Sequence, residues 1–238
     1  MSDDASTWKV LPHDPIEKLA ENLWRVVGTL PHFSLRRVMT VARMGDGRLV
    51  IHSAIALDPE AMREIEAWGE PAFLLIPHTR HRMDAPRYKQ RYPGLRVLAP
   101  KAVFHAAAKV VPVEGTYEDF PADEAIRLEM LRGVDQAEGA MIVRSADGVT
   151  VVLNEVVFDL TPPQSLAARV VMHVARLGPG PRVTPVVKVE LVRDRGALRE
   201  ELLRYAALPE LVRLIVSHDK LSTGSAAAAA LRQAASTL

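Results

Sequence analysis

A chain of 238 residues, 48% hydrophobic and 25% charged, is long enough to bury a large core and lacks the composition of a disordered segment. Lysine and arginine total 30 against 29 acidic residues, and the resulting +1 charge argues against the basic surface of a nucleic-acid binder. No cysteine occurs, which excludes disulfides, thiolate clusters and a cysteine nucleophile and leaves the eight histidines to carry the search for chemistry.

The polar start MSDDASTWKV has no basic region followed by an apolar one, and no apolar run of membrane-spanning length follows it. The expectation is a cytoplasmic protein, with no membrane, in which residues 1–19 extend from a single domain over 20–238. Leu23 to Val27 is the first organised segment. Leu35 to Arg43 and Arg48 to His52 read as two strands joined at Gly45-Asp46-Gly47. Asp58-Pro59-Glu60 is a helix start, Ala61 to Trp68 the helix and Gly69 its stop. Ala72 to Ile76 reads as a buried strand, Asp84 to Arg91 as a helix, Leu95 to Ala99 as a strand and Lys101 to Lys109 as a short helix.

Three β-like runs come next, Ala125 to Leu131, Ala140 to Arg144 and Val149 to Leu153, with a second hairpin turn at Ala146-Asp147-Gly148. A long apolar helix is expected over Gln164 to Leu177 and another over Gly196 to Tyr205. Leu211 to Val216 reads as a late strand, and Ser222 or Thr223 would cap a last helix ending near Ala235. Hairpins and helix-separated strands together favour a mixed α/β architecture of two sheets with helices outside.

The chemistry concentrates in IPHTRHRMDAP, residues 76–86, where an apolar strand gives way to a polar loop. His78, His81 and Asp84 are spaced by three, which places them on one face if the segment is a helical turn. Imidazoles and a carboxylate suit zinc, iron or manganese; the alternative is a polar loop in which Asp84 caps a helix. LIVSHDKLSTG, residues 214–224, repeats the strand-to-loop transition with Ser217, His218 and Asp219. His218 is a candidate ligand, and Asp219 either orients an imidazole or occupies a surface turn.

In VLNEVVFDL, residues 152–160, Asn154 can hydrogen-bond a ligand. Glu155 could be a ligand or a general base, although strand alternation favours an outward side chain, and Asp159 caps or ends the next turn. His52, with Ser53 and Asp58, could join a polar pocket, and His32 could line a cleft. His105 and His173 read as packing or helix-surface residues, and His13 as peripheral. Arg80, Arg82, Arg87, Lys89 and Arg91 surround the loop and could attract a small anionic molecule. The nucleotide-binding, HExxH and GxSxG motifs are missing from the sequence.

The order of LWRVVG, MTVARMGDGRLVIHS, LIPHTRHRMDAPRYKQRYPGLRVLAPK, VTVVLNEVVFD and LIVSHD resembles the metallo-β-lactamase superfamily over residues 20–236. The resemblance implies a four-layer αββα sandwich with a metal site at one edge, and it points to a branch with degenerate metal motifs. In the HxHxDH pattern His78 matches the first histidine. Arg80 stands at the second, while Arg82 and Met83 stand at the aspartate and last histidine. No histidine occupies the middle position near Gly133-Val134-Asp135. Asn154 stands at the bridging aspartate, and His218 matches the last histidine.

Two functions follow from the resemblance. One is a metal-assisted hydrolase of a small ester, lactone, thioester or phosphoester. It would use one zinc, iron or manganese ion on His78, His81 and His218, with Asp84 or Asp219 completing the site. The other is a metal-free, non-catalytic protein that binds a small anion or a protein partner through Arg80, Arg82 and Asn154. The alanine-rich C-terminal helix or a sheet edge would serve a homodimer.

Overall fold

The computed structural model describes residues 7–31, 33–160 and 180–238. Among them the strands form two mixed sheets. The first runs β1 (Glu17–Ala20), β2 (Leu23–Leu30), β3 (Phe33–Arg43), β4 (Arg48–His52), β5 (Glu70–Leu75), β6 (Arg96–Ala99) and β7 (Gly115–Thr116), in that spatial order. The second has the order β12 (Leu221–Thr223), β11 (Leu211–Ile215), β10 (Gly148–Val152), β9 (Gly139–Ser145) and β8 (Ile126–Met130). β3 and β4 form the expected antiparallel hairpin, as do β9 and β10. β4, β5 and β6 run parallel, and so do β10 and β11.

Alternating side chains separate the layers. On β3 and β4, Met39, Val41, Leu49 and Ile51 face α1 (Pro59–Trp68), α2 (Ala85–Arg91) and α3 (Lys101–Ala107), where Met62, Ile65, Tyr88 and Val103 meet them. Val38, Ala42, Val50 and Phe73 point the other way, into a core shared with Ile126, Met141, Val143, Val152 and Ile215 of the second sheet. The outer face of that sheet buries Ile142, Val151 and Leu214 under α4 (Pro185–Glu190), α5 (Arg195–Ala206) and α6 (Ser225–Ser236). Helix, sheet, sheet and helix layers result.

Local chemistry accounts for most of the boundaries. Asp58 Oδ1 accepts the N–H groups of Glu60 and Ala61 at 2.9 Å each, so α1 starts where an aspartate before a proline should start it. Gly69 ends α1 by close approach: a Cβ there would collide with Gly47 O and sit 2.8 Å from Leu49 Cδ2. Asp194 caps α5 by accepting from Ala197 N at 3.0 Å. The last helix departs from expectation, because Ser222 and Thr223 pair with β11 and Gly224 occupies the cap position without a side-chain bond. β1 and α4, at 4 and 6 residues, are too short for a periodic pattern to stand out from sequence. The helix expected at 164–177, together with His32 and His173, lies outside the described residues. No helix among the described residues is long and apolar enough to cross a membrane.

Candidate active site

The parallel pairs β4–β5 and β10–β11 end at one edge of the sandwich, and the residues just beyond their carboxyl ends converge there. Ser53 follows β4, His81 lies in the loop after β5, Glu155 follows β10 and His218 follows β11. His81 Nε2 lies 2.7 Å from Glu155 Oε1, and His218 Nε2 lies 3.4 Å from the same oxygen. Glu155 Oε2 faces the other way and accepts from Arg80 Nη1 at 3.3 Å; Arg80 Nη2 also pairs with Glu190 of α4.

Both imidazoles are fixed through their remaining nitrogen. His218 Nδ1 donates to the Arg36 carbonyl at 2.7 Å, which leaves Nε2 for the site. His81 Nδ1 lies 3.0 Å from Ser53 Oγ. The backbone beneath Glu155 is clamped by buried Glu138. Its Oε1 accepts Asn154 N at 2.8 Å, and its Oε2 accepts the N–H groups of Glu155 and Val156 at 2.9 and 3.0 Å. Burial and the neighbouring Glu155 push the Glu138 carboxyl up to about 8, against the pull of these three donors. Burial also acts to raise Glu155, but the facing His218 and His81 imidazoles outweigh it and hold the carboxyl well below the usual range. Burial pushes His78 down to about 4, opposed by Glu155.

These side chains open onto a cavity of about 580 Å³. Leu30, Pro31, Leu35, Met83 and Phe158 form its apolar wall, with Arg37, Ser53, Arg80, His81, Glu155 and His218 as its polar groups. That arrangement suits a small ligand with an apolar portion and one reacting polar group.

Among the described residues, His81, Glu155 and His218 form the group that could hold an ion together, with one ligand atom from each within 4.8 Å of the others. The donor set fits a single divalent cation. Two imidazole nitrogens and one carboxylate oxygen would hold it, and the second carboxylate oxygen remains with Arg80.

His78 stands outside the trio. It is buried, and its Nδ1 accepts the Arg80 backbone N–H at 3.3 Å. Asp84 is 1% exposed and lies 2.6 Å from both Arg37 Nη1 and Arg87 Nη1. Its side chain gives α2 no cap bond. Arg82 reaches the Ala106 carbonyl, and Asp219 sits in the turn after His218 with a positive φ of 66°. Asn154 is fully buried with no partner for its amide among the described residues, while its backbone carbonyl accepts from Ser217 Oγ at 3.0 Å.

Of the basic group around the loop, Arg87, Lys89 and Arg91 are held by Asp84, Glu114 and Glu66, so Arg80 alone of the five lines the cavity. His13 is not peripheral: its Nε2 accepts the Asp58 N–H at 3.1 Å.

Similarity to solved structures extends over nearly the whole chain. The FIM-1 metallo-β-lactamase from Pseudomonas aeruginosa, in a mono-zinc form, matches 96% of this chain and 96% of its own at 13% identity and a TM-score of 0.61. DIM-1, a metallo-β-lactamase exposed to ceftazidime, matches 96% of this chain and 99% of its own at 15% identity and 0.62. The chain has the metallo-β-lactamase fold. A metallo-β-lactamase from Pontibacter korlensis matches 95% of this chain and all of its own at 11% identity and 0.61. No family model matches the sequence, and no curated protein matches it. In this metallo-β-lactamase-like chain the set of possible ligands is sparse, three side chains among the described residues.

Proposed function

We propose that this metallo-β-lactamase-fold protein is a hydrolase of small esters, lactones or thioesters that works with one divalent ion. The observation that carries the reading is the meeting of His81 Nε2 and His218 Nε2 around Glu155 Oε1, with all three residues lining the cavity. An ion held there would supply a water acidified near neutral pH and a Lewis acid for the substrate carbonyl. The chain's own residues do the rest. The Arg36 carbonyl and Ser53 orient the two imidazoles, and Glu138 fixes the height of Glu155. The wall of Leu30, Leu35, Met83 and Phe158 accepts an apolar acyl group and keeps bulk water from it.

The test is calorimetric titration of chelator-treated protein with Zn²⁺, Mn²⁺ and, without oxygen, Fe²⁺. Turnover of a lactone, thioester and phosphodiester panel follows. One ion bound per chain, weakened in His218→Ala, with matching loss of turnover, supports the reading. No binding of any of the three ions overturns it.

Arg80 favours a second reading, a metal-free protein that binds a small anion. Its guanidinium brings a fixed positive charge to Glu155, and Arg37 Nη2 at the cavity wall has no partner among the described residues. Binding of acetate or phosphate by the chelator-treated protein, lost in Arg80→Met, with no ion bound under any condition, supports this alternative.

A further inference from the structure

Ser53 occupies an unusual position for a serine. It directly follows β4, before the Asp58 cap of α1, and its backbone has a φ of 57°. A residue with a Cβ takes that left-handed conformation only at a steric cost, and such strain gathers at functional turns. The turn is held by Ser53 N–H donating to the Leu75 carbonyl at 3.1 Å. The residue is 3% exposed, yet it lines the cavity. Its Oγ lies 3.0 Å from His81 Nδ1, and His81 Nε2 lies 2.7 Å from Glu155 Oε1.

A hydroxyl, an imidazole and a carboxylate thus stand in series at hydrogen-bonding distances, on a sharp turn leading from a strand toward a helix. This is the relationship by which serine hydrolases activate their nucleophile, with the two imidazole nitrogens used in the opposite sense.

We infer that Ser53 is a nucleophile when no ion occupies the site, with His81 as its base and Glu155 as the carboxylate that orients the base. The inference goes beyond the ion-dependent reading, with which it shares the pocket and two side chains. A neutral imidazole carries one proton, and its position decides the role of Ser53. With an ion at Nε2, the proton resides on Nδ1, and Ser53 Oγ accepts it as a positioning group. Without an ion, Nε2–H donates to Glu155, and Nδ1 is free to accept the proton of Ser53. One site therefore has two chemistries, selected by occupancy.

In the second chemistry Ser53 Oγ forms a bond to an ester carbonyl carbon while its proton passes to His81 Nδ1. The bond to the alcohol oxygen then breaks, and the leaving alcohol takes that proton. A water, losing its proton to His81, releases the acyl group as a carboxylic acid and restores the serine. Two donors on residues of the cavity lining are the candidates to meet the developing oxyanion. One is the N–H of Ala54, the residue after the nucleophile, for which the described residues supply no acceptor. The other is Arg37 Nη2, which is unpartnered while its neighbours bond the Thr29 and Ala54 carbonyls and Asp84. Both residues line the cavity.

The experiment is labelling of the chelator-treated full chain with an alkyl fluorophosphonate, followed by mass spectrometry of the peptides. The expected result is a phosphonyl group on Ser53, formed as Oγ displaces fluoride and the serine proton leaves through His81. Stoichiometric Zn²⁺ should suppress it. Labelling should fall about 100-fold or more in His81→Gln, the contribution of a positioned general base. It should vanish in Ser53→Gly, a variant suited to the left-handed backbone, while circular dichroism shows each variant folded. An unlabelled Ser53 in folded, chelator-treated protein overturns the inference, as does an undiminished rate in folded His81→Gln. Zinc calorimetry reads the ion-dependent proposal separately: binding without labelling leaves that proposal standing and removes this one, and labelling without binding does the reverse.

Discussion

Glu138 accepts the backbone N–H of Glu155 at 2.9 Å, so one buried carboxylate sets the position of another. The same side chain takes the N–H groups of Asn154 and Val156. Glu138→Ala strands three buried donors and should cost about 3 kcal/mol or more, given roughly 1–3 kcal/mol for each unsatisfied group. Glu138→Gln keeps the shape but turns an amide N–H₂ toward a donor, and should cost less. Urea unfolding of the three proteins checks the order, and equal stability would mean that the loop finds other acceptors.

Asp84 lies between two guanidinium groups in a dry environment. Removing it leaves Arg37 and Arg87 facing each other, and Asp84→Ala should lose about 3–5 kcal/mol. Thermal unfolding measures this. A folded variant of unchanged stability that lacks only turnover would instead give Asp84 a direct chemical role.

Arg80 places its charge 3.3 Å from the carboxylate that would hold an ion. Arg80→Met should raise divalent-ion affinity by about tenfold, the scale of a solvent-exposed charge at this distance. Calorimetry on the purified variant decides, and a weaker isotherm would assign Arg80 to holding Glu155 in place.

Glu129 accepts from Arg204 and from Tyr205 Oη at 3.0 Å. Burial acts to raise its pKa, but these bonds outweigh it and the net shift is downward. A carboxyl depressed in the folded state binds fewer protons there than in the unfolded chain. Its stabilisation is therefore present above the unfolded value near 4.5 and is lost as pH falls through the folded one. Glu129→Gln should flatten the part of the stability profile that falls away below the unfolded value, read by urea unfolding at stepped pH.

Gly133 has a φ of 82°, and its carbonyl accepts the N–H groups of Arg193 and Asp194 ahead of α5. A Cβ there would strike Asp194 O and lie 2.7 Å from Leu198 N. Gly133→Ala should destabilise by about 2–4 kcal/mol through strain and forced separation, visible in urea unfolding.

The layers were legible because their chemistry is local. Asp58-Pro59 starts a helix wherever it stands, and the alternation in β3 and β4 names both faces of a strand. The site was legible only in part. His81 and His218 stand out as imidazoles at strand ends. Glu155, a ligand or base candidate by residue type, ranks below them because strand alternation favours an outward side chain, and that alternation does not apply. β10 stops at Val152, so the inward aim of Glu155 comes from the loop and from Glu138, seventeen residues away in sequence. The i, i+3 spacing of His78 and His81 fails for a related reason. Residues 77–84 form turns rather than a helix, and the His78 ring accepts an N–H from its own loop. Ser53 had a sequence cue in its place beside His52 at a strand end, but its backbone strain is visible only in three dimensions.

The carbonyl that orients His218 belongs to Arg36 of the first sheet, and Val38 N–H bonds the Ser217 carbonyl at 3.0 Å beside it. His81 comes from the first sheet as well, whereas Glu155 and His218 come from the second. The three side chains can meet only after the two halves of the sandwich have docked. An ion gripped there would act as a rivet, drawing its binding free energy from the complete sandwich and returning it as resistance to the parting of its halves.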